Sequence, residues 1–152
     1  MPSLHASCVL VGPKAILIRG PSGSGKSRLA LSLIDSAASR SGDLSFARLV
    51  GDDRVLVSVE HSSLIARPPP NIAGLIEIRG IGIRRMAFEA AAKIGLVVDL
   101  AASDAARLPE IEASDTEIEG IKLPRLQIPP NGDALFVTLM RLKPIAAMQQ
   151  IA

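Results

Sequence analysis

The stretch Gly20-Pro21-Ser22-Gly23-Ser24-Gly25-Lys26-Ser27 constrains this chain more than any other. It fits G-x-x-x-x-G-K-S/T, with the apolar run Ala15-Ile16-Leu17-Ile18 before it and Arg28-Leu29-Ala30-Leu31-Ser32-Leu33-Ile34 after it. That order predicts a strand, a phosphate-binding loop and the first turns of a helix. Three glycines permit positive φ and close approach, so successive N–H groups can converge on an anion. The start of the following helix adds partial positive charge. Lys26 can then reach terminal phosphates, and the Ser27 hydroxyl can bind a magnesium ion. A Gly/Ser-rich turn with no ligand would match the pattern by chance in about one chain of this length in a hundred.

The rest of the chain must supply a core for that loop. Its 152 residues are 48% hydrophobic, which predicts one globular domain over residues 1–152 and excludes disorder. Residues 6–11 and 15–19 read as strands joined by Gly12-Pro13-Lys14, and a helix is expected from about Lys26 to Ala38. Its leucines cover more than one stripe, so a well-buried helix is expected. Further strands are expected at Phe46–Val50, Val55–Val59, Leu75–Ile78 and Leu96–Leu100, with Leu64-Ile65-Ala66 short and extended. Ala87 to Lys93 reads equally as loop or helical turn. Thr116 to Leu123 alternates, and Leu126-Gln127-Ile128 is expected to pair with it. A last helix, about Ala134 to Leu142, would start from Asn131 or Asp133 as cap and stop at Pro144. Strands dominate after the first helix. The expected fold is therefore α/β, a P-loop core with a mixed, largely antiparallel sheet.

Composition also removes function classes. A net charge of +2 without a basic block, and 2% aromatics, argue against nucleic-acid binding. No apolar run approaches the ~18–20 residues of a membrane span, and no signal segment is visible. One cysteine, Cys8, reads as a buried thiol in a reducing compartment, so a cytoplasmic protein is expected.

Five further residues could carry chemistry. Asp52-Asp53 falls at the end of a strand downstream of the P-loop, where one carboxylate can serve a metal and the other act as base. Both can do so only if the chain turns at Gly51; a solvated Asp-Asp turn is the alternative. Glu77 lies between Ile76 and Ile78, and a carboxylate in a buried strand needs a partner, either a metal ion or Arg79. His5 near the terminus is a surface residue or a site residue. Arg107, in a loop-like stretch, is a phosphate clamp or a solvated charge.

Taken together, these motifs resemble the C-terminal catalytic domain of bacterial HPr kinase/phosphorylase, most of all the short forms lacking an N-terminal domain. The similarity runs from His5-Ala6-Ser7 to the final helix and rests on three segments: Gly20–Ser27, Gly51-Asp52-Asp53-Arg54-Val55, and Leu75-Ile76-Glu77-Ile78-Arg79-Gly80-Ile81-Gly82-Ile83. The resemblance implies a fold related to phosphoenolpyruvate carboxykinase. It also implies an ATP- and magnesium-dependent kinase that phosphorylates a serine of HPr or a related phosphocarrier, as a homo-oligomer. Lys26 would hold phosphate, Ser27, Glu77 and Asp52 would serve the metal, and Asp53 would take the serine proton. His5 would lie beside Asp53, and Arg107 aligns with a family active-site arginine. Family members also use pyrophosphate, and inorganic phosphate drives the reverse phosphorolysis.

This chain departs from the family pattern in two internal places. The segment around Ser36 to Ser45 is longer than usual. Pro129-Pro130-Asn131-Gly132-Asp133 lacks the basic residues expected in the loop tied to dephosphorylation, and an aspartate there repels incoming phosphate. Phosphorylation is therefore expected to be retained and phosphorolysis weakened. A small-molecule P-loop kinase and a nucleotide-binding regulatory module without transfer activity are the competing readings.

Overall fold

The computed structural model describes residues 1–39, 44, 46–103 and 114–143. Arg107, Pro144 and most of the insertion after Ala38 lie outside the described residues.

Two short strands open the chain, β1 (Ser3–Leu4) and β2 (Ala6–Val11), and β2 turns at Gly12 into β3 (Lys14–Arg19). The P-loop connects β3 to α1 (Lys26–Ala38). Next come β4 (Ala47–Gly51), β5 (Val55–Glu60) and β6 (Ser63–Arg67), then β7 (Leu75–Ile78) and β8 (Gly82–Arg85). Finally β9 (Ala92–Asp99), β10 (Asp115–Ile118) and β11 (Ile121–Gln127) precede α2 (Ala134–Leu142).

Strand β9 is the hub. Its first residues pair antiparallel with β6, while its later ones run parallel to β3 on one side and to β11 on the other. The main sheet continues through β3 to β2 and β4, and through β6 to β5 and β1. It is mixed and largely antiparallel, as expected. Alternation along β3 feeds two cores: Ala15 and Leu17 face one, Ile16 and Ile18 the other. Gly95 bulges out of β9 between the partners of Ala15 and Ile16, which lets Ile94 and Val97 face the same core. A side chain at 95 would strike Lys14.

The second core is covered by helices. Leu29, Ala30 and Leu33 of α1 are buried at helical spacing, with Ile34 and Ala37 packed beside them. Burial thus follows one stripe, and Leu31 lies only half-buried off it. From α2, Leu135, Val137, Leu139 and Leu142 pack on the same core. The α2 cap is Asp133, whose carboxylate accepts from the Phe136 N–H at 3.2 Å. No helix among the described residues is long and apolar enough to cross a membrane.

Two stretches that the sequence leaves open take definite form, and one local expectation needs correction. Gly82–Arg85, rich in arginine, is a strand that pairs with β7 in a separate two-stranded hairpin. The undecided stretch before Lys93 is irregular up to β9, which starts at Ala92. Thr116–Leu123 is two strands turning at Glu119-Gly120, where both residues take positive φ. Leu126 and Gln127 pair with Val98 and Asp99 of β9, in parallel, instead of with that stretch. The inward positions shift phase across this turn, from Thr116 and Ile118 to Ile121 and Leu123, as expected for two strands rather than one.

Candidate active site

The P-loop leaves β3 at the sheet's parallel centre and enters α1. Gly23 (φ 80°) and Gly25 (φ 99°) take left-handed backbone that other residues adopt at a cost. At Gly20 a β-carbon would lie 2.5 Å from Ser24 Oγ, so glycine there lets the loop fold on itself. Lys26 is buried, and its ammonium donates to the carbonyls of Gly20 (2.9 Å) and Pro21 (3.1 Å). Two of its three donors are spent on the loop, leaving one for a ligand. Ser24 Oγ is a buried hydroxyl with no partner among the described residues. An orphaned donor inside a ring of amides and an ammonium suits a phosphate oxygen.

Behind the base of the loop, Arg19 and Asp99 end the parallel strands β3 and β9. Arg19 donates to both carboxylate oxygens of Asp99, at 2.7 and 2.8 Å, and Arg125 of β11 also donates to it. Burial acts most strongly on Asp99 and by itself raises its pKa. Hydrogen bonds and charge from Arg19 and Arg125 together outweigh burial, so the carboxyl sits below its ordinary 3.8. The cluster anchors the end of β3 immediately before Gly20, and Leu100 N–H also donates to Arg19 O at 2.8 Å.

The two adjacent aspartates divide between inside and outside. Asp52 is 7% exposed. Its Oδ1 accepts from Ser27 Oγ (2.6 Å) and Ser7 Oγ (2.8 Å), and its Oδ2 from the Glu77 N–H (3.4 Å). Three donors and no acceptor surround it, an arrangement that suits a carboxylate. The side chain of Asp53, by contrast, is 72% exposed, with Oδ1 2.9 Å from Nε2 of His5. The separation does not come from Gly51, where the turn was expected. Val50 bulges from β4, since Cys8 pairs with Gly51 and Val9 with Leu49, and Asp53 itself takes φ 66°. Gly51 serves close packing instead: a β-carbon there would lie 2.7 Å from Val55 Cγ1.

Lys26, Ser27, Asp52, Asp53 and His5 are thus brought together across the ends of β2, β3, β4 and α1. Glu77 joins them through its backbone, but its side chain is exposed and has no ion pair or hydrogen bond among the described residues. This corrects the expectation of a buried strand carboxylate paired by need. The β7–β8 hairpin leaves one face to solvent, with Ile83 as the cross-strand neighbour of Glu77, and Arg79 is exposed without an ion pair to it. Sequence reasoning missed Ser7 as a contributor. The one available signal was a hydroxyl within the otherwise apolar strand Ala6–Val11.

Comparisons with known proteins agree on one family. The profile of the HPr Serine kinase C-terminal domain matches residues 1–139. The chain is 37% identical over 138 residues to the HPr kinase/phosphorylase of Geobacillus thermodenitrificans, and 36% identical over 138 residues to that of Enterococcus faecalis. Each alignment covers 84% of this chain, which spans 42% of the length of either relative. Among solved structures, the Hpr(Ser) kinase/phosphatase of Coxiella burnetii superposes with a TM-score of 0.73 at 27% identity. That match covers 93% of this chain and 95% of that one.

Proposed function

The chain belongs to the HPr serine kinase C-terminal domain family, and from that premise we propose that it is a protein-serine kinase acting on HPr or a related phosphocarrier. ATP would supply the phosphoryl group, and Mg²⁺ the charge neutralisation that its transfer needs. The residues fit both. The Gly20–Ser27 loop with the unpartnered Ser24 hydroxyl and Lys26 would hold the phosphates. Ser27 and Asp52 would hold the metal, with Glu77, whose backbone N–H meets Asp52, as the third ligand. Because the Ser27 proton is committed to Asp52, the remaining lone pairs of Ser27 Oγ are left for a cation.

Asp53 is the base in this reading. His5 occupies its Oδ1, which leaves Oδ2 to accept the proton of an attacking hydroxyl. The imidazole N–H holds the carboxylate in one orientation and stabilises it between turnovers. Arg107 stays in the proposal as a phosphate contact on the family resemblance alone.

One observation favours a protein acceptor over a metabolite. The proposed base is 72% exposed at its side chain, and its partner His5 48%. A base at the surface can meet a serine carried on another folded protein, whereas small-molecule kinases enclose their acceptor to exclude water. The carboxylate, the loop and the metal ligands together form a complete kinase constellation, which favours transfer over a purely regulatory nucleotide site. We read residues 1–152 as one catalytic domain of a cytoplasmic homo-oligomer. Pyrophosphate and inorganic phosphate are further phosphate ligands of the same loop. Incubation with ATP, Mg²⁺ and HPr followed by phosphoserine detection tests the assignment. Label on a metabolite, or binding without transfer, would contradict it.

A further inference from the structure

We propose that Ser7 is a positioning residue for the two aspartates, holding Asp52 inward and Asp53 outward through a single hydroxyl. The inference rests on the reading of Asp53 as base and Asp52 as metal carboxylate, and adds the residue that keeps them apart.

The hydrogen-bond directions around Ser7 follow from its neighbours. The Asp53 N–H can only donate, so Ser7 Oγ, 3.3 Å away, accepts from it. The hydroxyl then has one proton to give, and Asp52 Oδ1 lies 2.8 Å away to take it. Ser7 is fully buried, so no bulk water competes for either bond. It shares a strand face with Val9 and Val11, which pack in the core beneath α1, and so it points at the same side of the sheet as Ser27. Asp52 Oδ1 thus receives two hydroxyl protons, one from the P-loop helix and one from β2.

The other half of the device is backbone. Asp53 sits at φ 66°, a conformation that needs support in a residue other than glycine. Three consecutive residues supply it. His5 holds the Asp53 side chain at 2.9 Å, Ala6 N–H donates to Asp53 O at 3.2 Å, and Ser7 Oγ accepts from Asp53 N. Of these three, Ser7 alone also holds Asp52. Its hydroxyl therefore ties the direction of the base to the position of the metal carboxylate.

The test compares Ser7→Ala and Ser7→Thr with the parent chain in phosphoryl transfer to HPr and in amide hydrogen exchange. With the hydroxyl lost, kcat should fall about 10–100-fold, as expected for a misplaced reacting group. The KM for ATP should stay within about threefold, because the phosphate loop is untouched and Ser27 and the Glu77 N–H still hold Asp52 at the metal site. Ser7→Thr keeps the hydroxyl and should recover kcat to within about threefold of the parent. In Ser7→Ala the Asp53 amide should exchange at least about tenfold faster, while the Leu17 amide in the β2–β3 ladder keeps its rate. An unchanged Asp53 amide overturns the proposal, as does equal acceleration at Leu17, which would mean general loosening. An unchanged kcat alongside a faster Asp53 amide also overturns it. Should the parent chain transfer no phosphate, the assigned function fails, and exchange at Asp53 and Leu17 alone decides the role of Ser7.

Discussion

Ser27 and Asp52 stand 25 residues apart in the chain, yet the Ser27 hydroxyl donates to Asp52 Oδ1 at 2.6 Å. The contact joins the P-loop helix to the end of β4 and commits the Ser27 proton inward. Under the proposed function this pair is the core of the metal site. Asp52→Asn should therefore weaken nucleotide binding about 10–100-fold in the presence of Mg²⁺, the usual effect of losing a metal-site carboxylate. Binding in the presence of a chelator should change little. Titration of a fluorescent ATP analogue with and without Mg²⁺ reads both; an equal loss in the two conditions would mean that the substitution damages the loop itself.

A second prediction concerns stability behind the loop. Asp99, with 13% of its side chain exposed, holds Arg19 and Arg125 together. Replacing it with asparagine leaves two guanidinium groups facing each other and should destabilise the fold by about 2–3 kcal/mol, somewhat below the loss for a fully buried pair. For a chain of this size that lowers Tm by roughly 5–10 °C. The pH dependence has a definite sign. The carboxyl titrates below its ordinary 3.8 in the folded state, so its stabilisation is complete above that value and is lost as pH falls through the folded pKa. The difference in Tm between the parent and Asp99→Asn should hold at neutral pH and narrow progressively as pH falls below 3.8. A constant gap would contradict the ion-pair account.

Cys8 gives an independent check on the core. It is fully buried in β2, and burial pushes its thiol up to about 12. At pH 8 native protein should resist alkylation, with labelling appearing only as the chain unfolds in denaturant. Rapid labelling of native protein would place β2 elsewhere than in the sheet centre.

The loop before α2 bears on the reverse reaction. Asp133 is occupied as a helix cap, accepting from Phe136 N–H, and stands where the family resemblance leads one to expect positive charge. Phosphorolysis of serine-phosphorylated HPr by inorganic phosphate should therefore run well below the kinase rate. Pyrophosphate release measured under matched conditions tests this, and comparable rates would contradict it.

The sequence carried the phosphate loop clearly, because G-x-x-x-x-G-K-S is local and its flanks fix the strand and helix. Positions 52, 53 and 77 were also legible as candidates, since a carboxylate at the end of an apolar strand or between isoleucines stands out. Their surroundings were not. Whether Glu77 is buried depends on whether β7 has a neighbour on its second face, and no residue of β7 encodes that. The bend that separates Asp52 from Asp53 comes from a bulge at Val50 and a left-handed aspartate, not from the adjacent glycine. Ser7 acts across a distance of 45 residues, and only the β2–β4 register brings it to Asp52. The arginine-rich β8 lacked the alternation that marks a half-buried strand, because it is exposed along its whole length.

Under the proposed function this constellation transfers phosphate to a protein serine, with Asp53 as the base. The most direct test is labelled ATP, Mg²⁺ and HPr with the parent chain and with Asp53→Asn, followed by phosphoserine analysis and a nucleotide-binding titration of both. Phosphoserine should form on HPr with the parent and fall about 10²–10⁴-fold in the variant, with ATP affinity retained. Absence of phosphoserine from the parent, or transfer by Asp53→Asn at the parent rate, would contradict the proposed function.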